Sequence, residues 1–153
     1  MSDLKQAIQR EYLKCAQDPV HFMRKYCTIQ HPTKGKVKFD LYPYQEKCLT
    51  EFKDNRYNII LKARQLGIST LSAGYALWMM LFHNDKNILV IATGKDTAKN
   101  LVTKVRVMYD GLPQWLKTNT EEINYLLDLK MVHKLKQSLQ MNQQVVQKHY
   151  HYW

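Results

Sequence analysis

Apolar and polar positions follow two different rhythms along this chain. Residues 3–16 place Leu4, Ala7, Ile8, Tyr12 and Cys15 near helical spacing. Asp18-Pro19 stops that segment and opens a second predicted helix that runs to about Tyr26. Residues 36–41 alternate as a half-buried strand with a solvated lysine face. Tyr44–Phe52 is predicted to be a helix started by Pro43, with Gln45 in its first turn. Asp54-Asn55-Arg56 reads as a turn that leads into a predicted strand, Tyr57–Leu61. Ser69–Phe82 is apolar on nearly every side, which predicts a helix buried against a sheet. Beyond the polar turn Asn84-Asp85-Lys86-Asn87, the unbroken run Ile88-Leu89-Val90-Ile91-Ala92 reads as a parallel strand covered on both faces. Asp96 or Thr97 is the expected cap of a last helix that reaches about Tyr109. Strand, helix, strand, helix predicts a β-α-β unit, and so an α/β fold with an open parallel sheet flanked by helices.

The junction between the first predicted β-strand of that unit and its helix carries the chemistry. Lys62-Ala63-Arg64-Gln65-Leu66-Gly67-Ile68-Ser69-Thr70 is a basic loop with one glycine that enters a Ser/Thr-started helix. Backbone N–H groups and the positive end of a helix dipole converge at such a junction, which suits an anionic ligand. It departs from the common G-x-x-x-x-G-K-[ST] loop. Ala63 replaces the first glycine and Ile68 stands at the usual lysine position. Lys62, seven residues before Ser69, is placed to fold back over the same phosphate.

This K-x-R-Q-x-G-x-S-T spacing resembles the variant Walker A loop of large terminase subunits, the DNA-packaging motor ATPases of tailed bacteriophages. Other segments agree in order. Leu41-Tyr42-Pro43-Tyr44-Gln45 is similar to the family's adenine-reading glutamine motif. Asp18-Pro19-Val20-His21-Phe22 and Ile29-Gln30-His31-Pro32 are similar to its entry segment. Ile88–Thr93 with Ala98, and Leu112-Pro113-Gln114-Trp115-Leu116, are similar to its next strand and helix. The resemblance spans roughly residues 18–122. It implies a P-loop NTPase-type open parallel sheet, incomplete here, with a helical entry segment over 1–35 and a partial ATPase domain over 36–122.

The resemblance also implies roles. ATP would be held by Gln45 and by Lys62, Ala63, Arg64, Gln65, Leu66, Gly67, Ile68, Ser69 and Thr70, with Mg²⁺ on the Ser69 hydroxyl. Lys62 would supply a point charge to the β- and γ-phosphates, the alternative being a plain strand-end lysine. Arg64 either stabilises charge on the transferred phosphoryl group or pairs with a carboxylate. Ser69 is either the Mg²⁺ group or an ordinary helix N-cap. Gln45 reads the adenine edge or is an exposed helix-start residue, and Tyr42 or Tyr44 would stack on the base. The acidic Walker B pair and the nuclease domain fall beyond the recognisable region, so weak ATP binding without appreciable hydrolysis is expected of this chain. Double-stranded DNA, the portal, the small terminase subunit and further copies of the same subunit are the implied partners, in the host cell cytoplasm.

Composition changes this picture little. The chain of 153 residues carries a net charge of +10, which fits a polyanionic partner such as DNA. Tyr26, Lys34, Lys36, Lys38 and Tyr42 are its nearest approach to a basic–aromatic patch. No apolar run approaches the ~18–20 residues of a membrane span. Cys15, Cys27 and Cys48 are scattered, and the six histidines show no ligand spacing. Neither a metal cluster nor a disulfide framework is expected.

From Ile123 onward the pattern changes to Gln-rich and His/Tyr-rich sequence without glycine or proline. Reading the codons one base early permits N-G-S and A-G-R-S segments of the terminase kind, and the glycine of the first is fixed by any codon choice. Residues 123–153 are therefore expected to be an out-of-frame or non-native tail, the alternative being a divergent C-terminal helix. One A lost from an A-rich run at codons 121–124 would produce it. Four lysines against one aspartate in this tail leave +7 of the +10 on residues 1–122. Two further readings stay open: a helicase- or translocase-like P-loop fragment, and a small basic DNA-binding protein without enzymatic activity.

Overall fold

The computed structural model describes residues 2–31, 33–83, 88–92 and 94–117. In chain order its elements are α1 (Ser2–Gln17), α2 (Pro19–Tyr26), β1 (Thr28–His31), β2 (Gly35–Lys38), α3 (Pro43–Asp54), α4 (Ile68–Phe82) and α5 (Lys95–Asp110), then a 3₁₀ turn over Gln114–Leu116. Local sequence explains the starts. The Asp18 carboxylate accepts the Val20 N–H at 2.8 Å, and Pro19 takes the first helical position, where a missing N–H costs nothing. Pro43 opens α3 in the same way. Helix α5 begins earlier than Asp96 or Thr97 would cap it, on Gly94.

The open parallel sheet expected of a P-loop NTPase-type α/β fold is not formed. The described residues are mostly helical, and their only sheet is the hairpin β1-β2. That pair is antiparallel, with Thr28 opposite Lys38 and His31 opposite Gly35. At its turn the His31 Nδ1 accepts the N–H groups of Thr33 and Lys34, both at 3.2 Å. Gly35 has φ +72°, a left-handed conformation that glycine adopts without steric cost. Residues 57–61 and 88–92 are not strands. Their β-branched, apolar sequences favour extension, but a strand exists only in a ladder, and among the described residues neither segment has a neighbour to trade N–H···O=C bonds with. Ile59 and Leu61 accordingly stand fully in solvent, each at 101 % exposure.

Helix α4, expected beneath a sheet, is buried by other helices instead. It packs against α5, α2 and α3. Leu71, Ala73, Leu77 and Trp78 share one core with Cys15, Phe22, Met23, Leu49, Val105, Met108 and Tyr109. That core draws on the 1–35 and the 36–117 regions alike. Burying each large side chain of this set contributes about 1.5–3 kcal/mol. Gly74 leaves room for the end of the Met23 side chain, since a Cβ there would lie 2.9 Å from Met23 Sδ and Cε and the methionine would have to shift. The Trp78 indole donates to the Cys15 carbonyl at 2.7 Å, and the Tyr75 hydroxyl to the Phe52 carbonyl at 3.0 Å, so α4 is tied to α1 and α3. An Arg24–Glu46 ion pair joins α2 to α3. No helix among the described residues is long and apolar enough to cross a membrane. The tail over 123–153 lies outside the described residues.

Candidate functional site

Residues 62–70 and Gln45 meet at the start of α4. Gln45 is the third residue of α3, and its Oε1 accepts the Tyr42 N–H at 3.1 Å, the reach-back half of a capping box. That bond turns the amide so that Nε2 donates to the Leu66 carbonyl at 3.2 Å. The Tyr44 hydroxyl donates to the same carbonyl at 2.9 Å. Gln45 is 2 % exposed, so of its two readings the exposed helix-start residue is ruled out. Both ends of its amide are engaged inside the protein, and Gln45 acts first as a brace on the loop.

The loop backbone is built for close approach. Gln65 and Gly67 have φ of 65° and 70°, both left-handed, and alternation of this kind turns successive N–H groups to one side. Gly67 is the N-cap of α4, and its carbonyl accepts the N–H groups of Thr70 and Leu71 at 3.0 and 2.9 Å. The N–H groups of Ile68 and Ser69 have no acceptor among the described residues. They are the unspent donors every helix start presents, at the positive end of its dipole. Ser69 sits inside the helix and is exposed, so it is not the N-cap. Ile68 is half-buried against the core.

Among the described residues, one cation reaches this point directly. Lys104 of α5 donates through Nζ to Thr70 Oγ1 at 3.1 Å. Lys62, Ala63, Arg64 and Gln65 are exposed, and Lys62 and Arg64 make no hydrogen bond or ion pair among the described residues. The carboxylate alternative for Arg64 therefore has no partner there. Tyr42 and Tyr44 stack with ring centroids 5.6 Å apart and an interplanar angle of 8°, and Tyr42 is well exposed. They form a flat aromatic step beside the loop. A cleft of ≈ 870 Å³ runs along α4 between residues 52–58 and 88–91, and residues 62–70 do not line it.

Sequence reasoning missed two features. Lys104 reaches the loop only because α5 packs on α4, and nothing in its local sequence marks it. The second is a cluster that spacing along the chain does not show: Glu11, Cys15 and His21 converge across the Asp18-Pro19 turn. Glu11 Oε1 receives Lys25 Nζ at 2.7 Å, His21 Nε2 at 2.8 Å and the Tyr26 hydroxyl at 3.0 Å. The Lys25 ammonium, then the His21 ring, hold the Glu11 carboxyl down at about 2. Burial raises the Cys15 thiol to about 11 and pushes the Cys27 thiol up as well. All three cysteines are free. No protein-family model matches the chain.

Proposed function

We propose that the 62–70 loop binds ATP, and that this chain is the N-terminal part of a terminase large subunit, a motor that packages bacteriophage DNA in the host cell cytoplasm. The observation that carries the reading is the pair of uncommitted N–H groups on Ile68 and Ser69, held behind a left-handed Gly67 whose preceding carbonyl is gripped by Gln45 and Tyr44. Such a pair can donate to phosphate oxygens without rearrangement. Lys62 and Arg64 are exposed and uncommitted, so both can close over the phosphates. Ser69 offers its hydroxyl to Mg²⁺. The Tyr42–Tyr44 step takes the base, while Gln45 fixes the loop from behind. The fit concerns binding: among the described residues no carboxylate bonds to the loop, and hydrolysis needs one for Mg²⁺ and the attacking water. The net charge of +10 supports double-stranded DNA as a partner; portal, small subunit and further copies follow from the resemblance alone.

Hydrogen exchange of the full chain with and without MgATP tests the reading. Protection confined to amides 66–71, weakened at least tenfold in ATP dependence by Lys62→Ala, supports it. Unchanged exchange at millimolar MgATP removes it. A second reading, a basic DNA-binding protein, is favoured by the hairpin, where Lys36 and Lys38 lie on the exposed face of β2. Salt-sensitive DNA binding that is indifferent to Lys62→Ala and to ATP would select that alternative.

A further inference from the structure

We propose that Glu11, Cys15 and His21 form a binding site for a borderline divalent cation of the Zn²⁺ class. Glu11 and Cys15 stand four residues apart on α1, hence on one face, and His21 arrives from α2. One donor atom from each lies within 4.8 Å of the other two. A carboxylate oxygen, a thiolate and an imidazole nitrogen are the mixed donors zinc accepts. Bonds of about 2.3 Å to sulfur and about 2.0–2.1 Å to nitrogen or oxygen set tetrahedral donors roughly 3.3–3.6 Å apart, so the sulfur closes by up to roughly 1 Å while the Glu11 oxygen and the His21 nitrogen, now hydrogen-bonded at 2.8 Å, part slightly to admit the ion.

The surroundings suit a site as much as the donors do. Cys15 is 0 % exposed, and its carbonyl is held by the Trp78 indole at 2.7 Å, so this turn of α1 is fixed before any ion arrives. The Tyr26 hydroxyl donates to Glu11 Oε1 at 3.0 Å and orients the carboxylate, as outer-shell partners of metal ligands do. The Glu11 and His21 side chains are 20 % and 33 % exposed, which leaves an entry path and a fourth position for water. Lys25 competes for the same oxygen at 2.7 Å, yet its side chain is 50 % exposed. Its flexible stem lets the ammonium leave into water as the ion enters. As the metal–sulfur bond forms, the Cys15 thiol releases its proton to solvent.

Co²⁺ is the probe, because tetrahedral thiolate ligation gives an intense near-ultraviolet charge-transfer band. The purified full chain is expected to bind one equivalent with that band, to lose it on adding Zn²⁺, and to bind at least tenfold more weakly as His21→Gln. Cys15→Ser should abolish the band. Far-UV circular dichroism shows whether Cys15→Ser stays folded, and the half-exposed His21→Gln carries the test if it does not. Absence of a thiolate band in the parent chain overturns the proposal. So does a band unaltered by both substitutions, which would assign the ion to Cys27 or Cys48.

Discussion

The Gln45 amide donates to the Leu66 carbonyl at 3.2 Å, and a Cβ on the next residue, Gly67, would lie 2.8 Å from the same nitrogen. Brace and loop are therefore fitted to each other. Gln45→Leu keeps the volume and removes both bonds, leaving the Tyr42 N–H without its partner. The expected cost is about 1–2 kcal/mol, read as a lower urea midpoint with an unchanged slope. Amide exchange over 65–68 should accelerate with it.

Gly67→Ala meets two separate obstacles, the left-handed φ of 70° and the Gln45 nitrogen. The backbone part costs about 1–2 kcal/mol, and the steric part adds to it. In a Gln45→Ala background only the steric part should vanish. A double-mutant cycle is thus expected to depart from additivity by at least about 0.5 kcal/mol; strict additivity would mean that the two side chains do not collide.

Trp78→Phe deletes the indole N–H that satisfies the buried Cys15 carbonyl. An orphaned buried acceptor costs about 1–3 kcal/mol, and lost packing raises the total. Thermal unfolding followed by circular dichroism should show a drop of several degrees. An unchanged midpoint would refute the α1–α4 tie.

Acid should weaken the α1–α2 contact in a defined window. The Glu11 carboxyl ordinarily titrates near 4.5 and is lowered to about 2 in the folded chain, first by Lys25 and then by His21. A lowered carboxyl stabilises fully above its unfolded value and loses that contribution as pH falls through the folded one. Metal-free protein is therefore expected to lose stability between about pH 4.5 and about pH 2. Glu11→Gln should flatten that part of the profile and leave the slope above pH 6 unaltered.

The exposed run Asn58-Ile59-Ile60-Leu61 has the composition of a strand that pairs with other chains. Ile59→Lys together with Leu61→Lys should reduce concentration-dependent association seen by light scattering. Both side chains are fully exposed, so the helical signal should stay the same.

The helices were legible because their signals are local: Asp18-Pro19, Pro43 and the apolar spacing of 3–16, 69–82 and 96–109 act within a few residues. The sheet was misread because strand composition reports only a readiness to pair, and pairing depends on neighbours that 57–61 and 88–92 do not have among the described residues. The strand Thr28–His31 went unread for the opposite reason. Four residues with a histidine and a glutamine carry almost no alternation, and the hairpin is fixed by its turn. In the loop, Gln45 and residues 62–70 were joined in advance only by the resemblance to the terminase family. The Lys104 ammonium and the Glu11–Cys15–His21 group depend on which helix faces which, information that no short window contains.

The indole of Trp78 sits ten residues along the same unbroken rod as Ile68, roughly 15 Å from the loop, with its N–H fixed to α1. An unkinked rod passes a tilt at its first turn on to that ring. If the loop takes an anion as proposed, fluorescence of this residue, isolated by replacing Trp115 and Trp153, is expected to report its arrival without an attached dye.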